Sequence, residues 1–246
     1  MTGKLFVVPT PVGNLEDMSP RAVHVLKTVD DVYAEDTRTT SVLFRHFGLT
    51  TPLHSFHKYN EHVKVDAIVR QISEGKNIAL VSDAGTPGIS DPGFLITRRC
   101  RNQGIEIETL PGPTAFVPAL INSGLPCDRF FFEGFLPIKK GRKTRIAELA
   151  KLPVTFIIYE SPIRIVKTLS ELADVCGPQR AASVSREISK IHNTTVNASL
   201  SELKDYFAMN IPKGEIVLVV EGFCEKKEIN RVHKNKFTDI SENNKS

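Results

Sequence analysis

The chain has 246 residues, of which 41% are hydrophobic and 24% charged, the balance of an ordinary folded protein with room for one large or two medium cores. Lys and Arg exceed Asp and Glu by 32 to 28, a net +4 that permits an anionic partner without demanding one. No apolar run approaches the roughly 20 residues of a membrane helix. The four cysteines, Cys100, Cys127, Cys176 and Cys224, include no C-x-x-C pair, which argues against structural zinc or a disulfide framework and for a cytoplasmic protein.

In chain order, the short runs "KLFVV" (4–8), "DVYA" (31–34), "NIALVS" (77–82) and "IEIETL" (105–110) read as buried strands, as do "VTFIIY" (154–159), "AASVS" (181–185) and "EIVLVV" (215–220). Helical patterns lie between them. Ser19-Pro20 gives a cap and first turn ahead of Ala22, Val25, Leu26 and Val29. Val65, Ile68, Val69 and Ile72 repeat that spacing and stop at Gly75; Ser161-Pro162 is expected to open a further helix through Ile165, Leu169 and Leu172. Strands alternating with helices predict α/β layers with mainly parallel pairing, and "LPGPTA" reads as a hinge between two halves. The polar stretch 225–246 reads as a loose tail.

Three loops rich in proline and glycine follow predicted strands: "PTPVGN" (9–14), "SDAGTPGISDPG" (82–93) and "PGPTA" (111–115). Ligands in open α/β sheets sit beyond the carboxyl ends of the strands, and glycine lets backbone approach them closely. Neither G-x-G-x-x-G nor G-x-x-x-x-G-K-[ST] is present, which disfavours a pyrophosphate-bearing cofactor. A smaller adenosyl compound held by backbone groups and the Thr114 hydroxyl fits better. The competing reading of each single loop is a tight surface turn.

Seven segments, "TPVGNLEDMSPRA", "AEDTR" (34–38), "VSDAGTPGISDPG", "LPGPTA", "FEGFLPIKKGRK" (132–143), "YESPIR" (159–164) and "REISKIH" (186–192), together carry a resemblance. Over about residues 4 to 222 the chain resembles the ribose 2′-O-methyltransferases of small-subunit ribosomal RNA, within the tetrapyrrole methylase superfamily. The resemblance implies two α/β domains, 1–112 and 113–224, with S-adenosyl-L-methionine in the cleft between them. It also implies a homodimer, and methyl transfer to a cytidine 2′-hydroxyl of 16S ribosomal RNA, with the assembled subunit as partner. Carried over by position, the cofactor contacts are Pro11, Gly13, Ala84, Gly85, Thr86, Ile89, Thr114, Ala115 and, on a weaker match, Glu160. The chain departs from the family pattern at Tyr59 in "HKYNE" and at Asn193, Thr194 and Ala198.

A ribose hydroxyl is a poor nucleophile, so a nearby base is expected, worth roughly 10²–10⁴-fold. "AEDTR" offers Asp36 as base, with Glu35 beside it and Arg38 steadying a carboxylate or a phosphate; the alternative is a structural ion-pair network. Asn14, Asn60 and Glu61 are second candidates for orienting the ribose, and His57 reads as a hydrogen-bonded loop residue. RNA requires cations, and Lys139, Lys140, Arg142, Lys143 and Arg145 fall within eight residues, extended by Arg186 and Lys190. The alternative for that run is a solvated surface. No metal site is expected. Two other functions compete: methylation of a tetrapyrrole, and a noncatalytic RNA-binding factor.

Overall fold

A computed structural model describes residues 2–224; the tail expected over 225–246 lies outside the described residues. The first half alternates strand and helix: β1 (Lys4–Val7), α1 (Pro20–Thr28), β2 (Asp31–Ala34), α2 (Thr37–Phe47), β3 (Leu53–Ser55), α3 (Glu61–Ser73), β4 (Ile78–Val81), α4 (Phe94–Asn102) and β5 (Glu106–Thr109). The five strands form one parallel sheet in the order β3-β2-β4-β1-β5. Successive side chains on a strand point to opposite faces, and both faces are apolar here. Val8, Val32, Ala34, Ala79 and Val81 pack under α1 and α2. Leu5, Val7, Tyr33, Ile78 and Leu80 pack under α3 and α4. A sheet covered on both sides explains why β4, and β2 after Asp31, read as continuous hydrophobic runs.

The helix signals act as expected at α1, where the Ser19 hydroxyl accepts from the Ala22 N–H at 3.1 Å and Pro20 fills the first turn. Gly75 follows α3 and donates its N–H to the Ile72 carbonyl at 3.0 Å. Asp36 caps α2, its Oδ1 accepting from the Arg38 N–H at 2.8 Å.

The second half holds α5 (Phe116–Ser123), β6 (Phe130–Phe135), α6 (Arg142–Leu149), β7 (Thr155–Glu160), α7 (Ile165–Cys176), β8 (Ala181–Arg186), β9 (Thr194–Ser199), α8 (Leu200–Met209) and β10 (Ile216–Val220). Its sheet runs β6-β7-β10-β8-β9. Only β6 and β7 are parallel; β10 runs antiparallel to both β7 and β8, and β8 to β9. The expectation of mainly parallel pairing is therefore corrected here. The cause is connectivity, because β8 reaches β9 through a tight turn over 187–193 and β10 returns between β7 and β8. Phe156, Ile158, Leu218 and Val220 pack beneath α6, α7 and α8. Ile157, Val217 and Val219 face α5 with its Ala119 and Leu120.

Three strands escaped the sequence reading. β3 is three residues long, β9 is polar, and β6 is interrupted by a bulge between Phe132 and Gly134, where Gly134 takes φ 71°. Among the expected helices, α7 opens at Ile165 rather than at Pro162. Residues 161–164 stay outside it as a turn, with Ser161 and Pro162 turned to the cavity described next.

Candidate active site

Because the first sheet is parallel, the segments after β1, β2, β4 and β5 emerge at one rim. Direct hydrogen bonds lace them together. Thr10 and Gly85 exchange two backbone hydrogen bonds at 2.9 Å each, and the Thr10 hydroxyl donates to the Ser82 carbonyl at 3.0 Å. The Thr86 hydroxyl donates to the Pro113 carbonyl at 3.2 Å, tying the second loop to the third.

Against this rim lies a cavity of about 430 Å³, closed from the far side by the second sheet. The first half contributes Val12, Glu35, residues 83–86, residues 89–91, Thr114 and Ala115; the second contributes Phe135, residues 159–162 and residues 214–217. That volume lies within the range of small-molecule sites. Of the residues carried over from the family, Ala84, Gly85, Thr86, Ile89, Thr114, Ala115 and Glu160 line the cavity. Pro11 and Gly13 do not line it. Val12 between them does, and Gly13 instead abuts the Lys190 side chain and the Ile188 carbonyl.

Glu160 lines the cavity, yet its carboxylate, 1% exposed, is fully engaged by protein. It accepts from the Ser161 N–H, from Arg164 Nε and from Thr168 Oγ1, each at 2.7 Å, with Arg142 Nη2 at 3.8 Å. Those bonds commit the carboxylate to supporting the cavity wall.

Glu35, Asp83 and Asp91 face the cavity from three positions on the rim, and none of them makes an ion pair among the described residues. Burial raises the Glu35 carboxyl, and Asp83 raises it further. Burial likewise raises Asp83, against a hydrogen bond from the Asp36 N–H at 3.0 Å. Asp91 is pushed up to about 7, by burial first and then by the charges of Glu35 and Asp83.

Asp36 is different. Arg38 grips both of its oxygens, Nε to Oδ1 at 3.0 Å and Nη2 to Oδ2 at 2.6 Å, and holds its pKa at about 2. Asp36 also lies off the cavity lining. A capped, paired carboxylate of that strength is a weak proton acceptor, so the geometry argues against Asp36 as base and for the ion-pair alternative. Arg38 remains 90% exposed. Asn14 is occupied as the cap of a short 3₁₀ turn, its Oδ1 accepting from the Glu16 N–H. His57 and Asn60 lock the turn after β3: Asn60 Oδ1 accepts from the His57 N–H at 2.8 Å. Tyr59 stands 91% exposed beside His57, and the departures at Thr194 and Ala198 fall on β9, away from the lining.

The basic run divides sharply. Lys139, Lys140 and Lys143 are exposed and make no ion pair among the described residues. Arg142 is buried at 4% exposure, its guanidinium bound to Glu171 at 2.7 Å, Thr168 at 2.7 Å and the Pro137 carbonyl at 3.2 Å. It is thereby removed from the expected RNA contacts, since a helix N-terminal residue at the α6–α7 seam points into the core. Arg145 is held by Glu133 and Glu148, Lys190 by Glu187 and Glu215, and Arg186 donates to the Lys213 carbonyl. Among the described residues no cluster of three His, Cys, Asp or Glu is placed to hold a metal ion.

The lining at 214–217 and the seat of Tyr159 were not anticipated from sequence. β10 was expected as a strand, but only antiparallel pairing brings its first residue, Ile216, opposite Glu160 and so to the cavity.

Two stacked α/β halves with a shared cavity at the rim of a parallel sheet define a two-domain methylase architecture. Residues 4–204 match the family model for Tetrapyrrole (Corrin/Porphyrin) Methylases, and the chain belongs to that family. It is 47% identical over 227 residues to the Ribosomal RNA small subunit methyltransferase I of Xylella fastidiosa (strain Temecula1), covering 91% of this chain and 83% of that protein. Solved structures share the fold at low identity. One is diphthine synthase, with a TM-score of 0.71, 14% identity and coverage of 89% and 90% of the two chains. Another is the Thermus thermophilus uroporphyrin-III C-methyltransferase complexed with S-adenosyl homocysteine, with a TM-score of 0.61, 19% identity and coverage of 88% and 97%.

Proposed function

We propose that this protein transfers a methyl group from S-adenosyl-L-methionine to the 2′-hydroxyl of a cytidine in small-subunit ribosomal RNA, as a cytoplasmic homodimer acting on the assembled subunit. The observation that carries the reading is the cavity itself, built by both sheets and ringed on one side by three carboxylates that make no ion pair among the described residues. The relative's name supplies the substrate class. The family and its solved member with bound S-adenosyl homocysteine support the cofactor.

The residues fit that cofactor. Ala84, Gly85, Ala115 and Val217 offer a small, smooth wall for a nucleoside, and the carboxylates complement a cationic ligand. Bound, the cofactor would supply an electrophilic methyl group on a sulfonium. The chain's own part is to hold the hydroxyl in line, which is worth up to about 7–11 kcal/mol of the barrier, to exclude water and to receive a proton.

Purified protein given labelled cofactor and either 30S subunits, naked 16S RNA or a tetrapyrrole separates the candidate substrates. Expected is label in 2′-O-methylcytidine from the ribosomal substrate; label only in the tetrapyrrole would overturn the reading. A noncatalytic factor would bind no cofactor by calorimetry.

For RNA the contacts reduce to Lys139, Lys140 and Lys143. Changing all three to glutamine is expected to lower the slope of log affinity against log salt by about two units, from roughly 0.7 per phosphate contact on single strands. Cofactor affinity should stay put. Filter binding across salt concentrations measures both, and an unaltered slope would remove the RNA role.

A further inference from the structure

The two halves also meet at the turn over 187–193, which joins β8 to β9. Glu187 and Ser189 there adopt φ 53° and 62°, left-handed conformations uncommon for residues with side chains. Such conformations persist only where the surroundings enforce them, and one carboxylate does much of that here. Glu187 Oε1 accepts from the Glu215 N–H at 2.9 Å and from Lys190 Nζ at 3.0 Å, while the Glu187 N–H donates to the Glu215 carbonyl at 3.0 Å. Lys190 Nζ makes a second ion pair, to Glu215 Oε2 at 3.1 Å. Gly214, at φ 86°, leaves room for this knot, because an added Cβ would overlap the Glu187 carboxylate.

The stem of Lys190 reaches the first half. It crosses Gly13 so closely that an added Cβ there would overlap Lys190 Cγ and come within 3.2 Å of Lys190 Cε and of the Ile188 carbonyl. Gly13 directly follows Val12, which lines the cavity from the first half; Gly214 and Glu215 line it from the second. One lysine therefore backs two walls from opposite halves, with its methylenes on the first loop and its ammonium on the entry to β10. Long cationic side chains commonly divide their contacts in this way, an apolar stem packed and a charged head paired.

We propose that Lys190 is a positioning residue for the cofactor cavity, its stem wedged between the 9–14 loop and the Glu187–Glu215 knot so that it sets the spacing of Val12 from the 214–217 wall. Glycine is required at position 13 to admit that stem, not to admit the cofactor. The inference takes the identity of the ligand from the methyl-transfer reading above. Lys190 is outside the cavity lining and touches no reacting atom; it acts through the two walls that it spaces. Wall spacing governs how well the cofactor is held in ground and transition state alike. Its loss should therefore fall on KM for the cofactor rather than on kcat.

Two measurements on the full chain test this. Calorimetry with S-adenosyl homocysteine gives affinity without turnover. Lys190→Ala should weaken binding about 10-fold, and Lys190→Arg, which keeps both stem and cation, should restore most of it. Gly13→Ala should also cost about 10-fold, but the double variant should be little weaker than either single one, because the alanine at 190 removes the carbon that the new Cβ meets. If position 13 instead serves cofactor approach, the two losses multiply to roughly 100-fold. The second measurement is turnover with 30S subunits, where the loss in Lys190→Ala should appear in KM for the cofactor. Unaltered affinity in Lys190→Ala, multiplying losses in the double variant, or a fall in kcat at constant cofactor KM each overturns the assignment. A wild type that binds no S-adenosyl homocysteine overturns the functional reading instead, before any variant is made.

Discussion

Replacing Glu160 with alanine is expected to destabilise the protein by about 3–5 kcal/mol, the cost of removing one partner from a buried charged network. The reason is what it leaves behind. Arg142 is 5% exposed at its side chain and would retain Glu171 but lose its second carboxylate, while Thr168 and the Ser161 N–H would each lose an acceptor. Those groups join β7, the start of α6 and the middle of α7, so the loss falls on the core of the second half. Urea denaturation gives the stability and calorimetry the cofactor affinity of the folded fraction. A stable variant that binds cofactor poorly would restore Glu160 to the ligand role that the family resemblance implies.

The second large effect is expected at Gly134. A side chain there meets a left-handed backbone, worth about 1–2 kcal/mol, and a hydroxyl from the opposite half at 2.7 Å. Gly134→Val should push Ser90, and with it Asp91, away from the cavity. A misplacement of about 1 Å at a reacting group can cost 10²-fold in rate. Turnover should therefore fall about 10²-fold in kcat with the fold retained. Gly48→Ala provides the comparison, because Gly48 has φ 60° at the end of α2 with nothing within 4 Å of the added carbon. It should lose stability and keep its rate. Equal rates in the two variants would disconnect the bulge from the site.

Much of this architecture is legible in the residues, for definable reasons. β2 and β4 are buried on both faces, so "VYA" after Asp31 and "IALV" are unbroken apolar runs. The Ser19 cap and Pro20 mark a helix start by local chemistry alone. The three loops were found because proline and glycine punctuate strand ends in sequence, and their hydrogen bonds through Thr10 and Thr86 occur among those same residues. What sequence does not carry is pairing at a distance. Nothing local in "EIVLVV" states that it runs against β7, so the cavity wall at 214–217 stayed hidden. The division of "IKKGRKTR" is hidden for the same reason: Arg142 turns inward only because Glu171 and Thr168 lie on a helix that begins more than twenty residues later. Asp36 was chosen as the base within "AEDTR" with Arg38 beside it, yet that arginine holds its carboxylate in an ion pair.

The unneutralised rim also bears on what happens after the reaction. Once the methyl group is gone, the departing thioether has forfeited the positive charge that Glu35, Asp83 and Asp91 attract, although its shape is almost unchanged. If the proposed cofactor occupies the pocket, reactant and product differ there in charge rather than in shape. Under the proposed methyl transfer, that asymmetry favours departure of the neutral product over the cationic reactant.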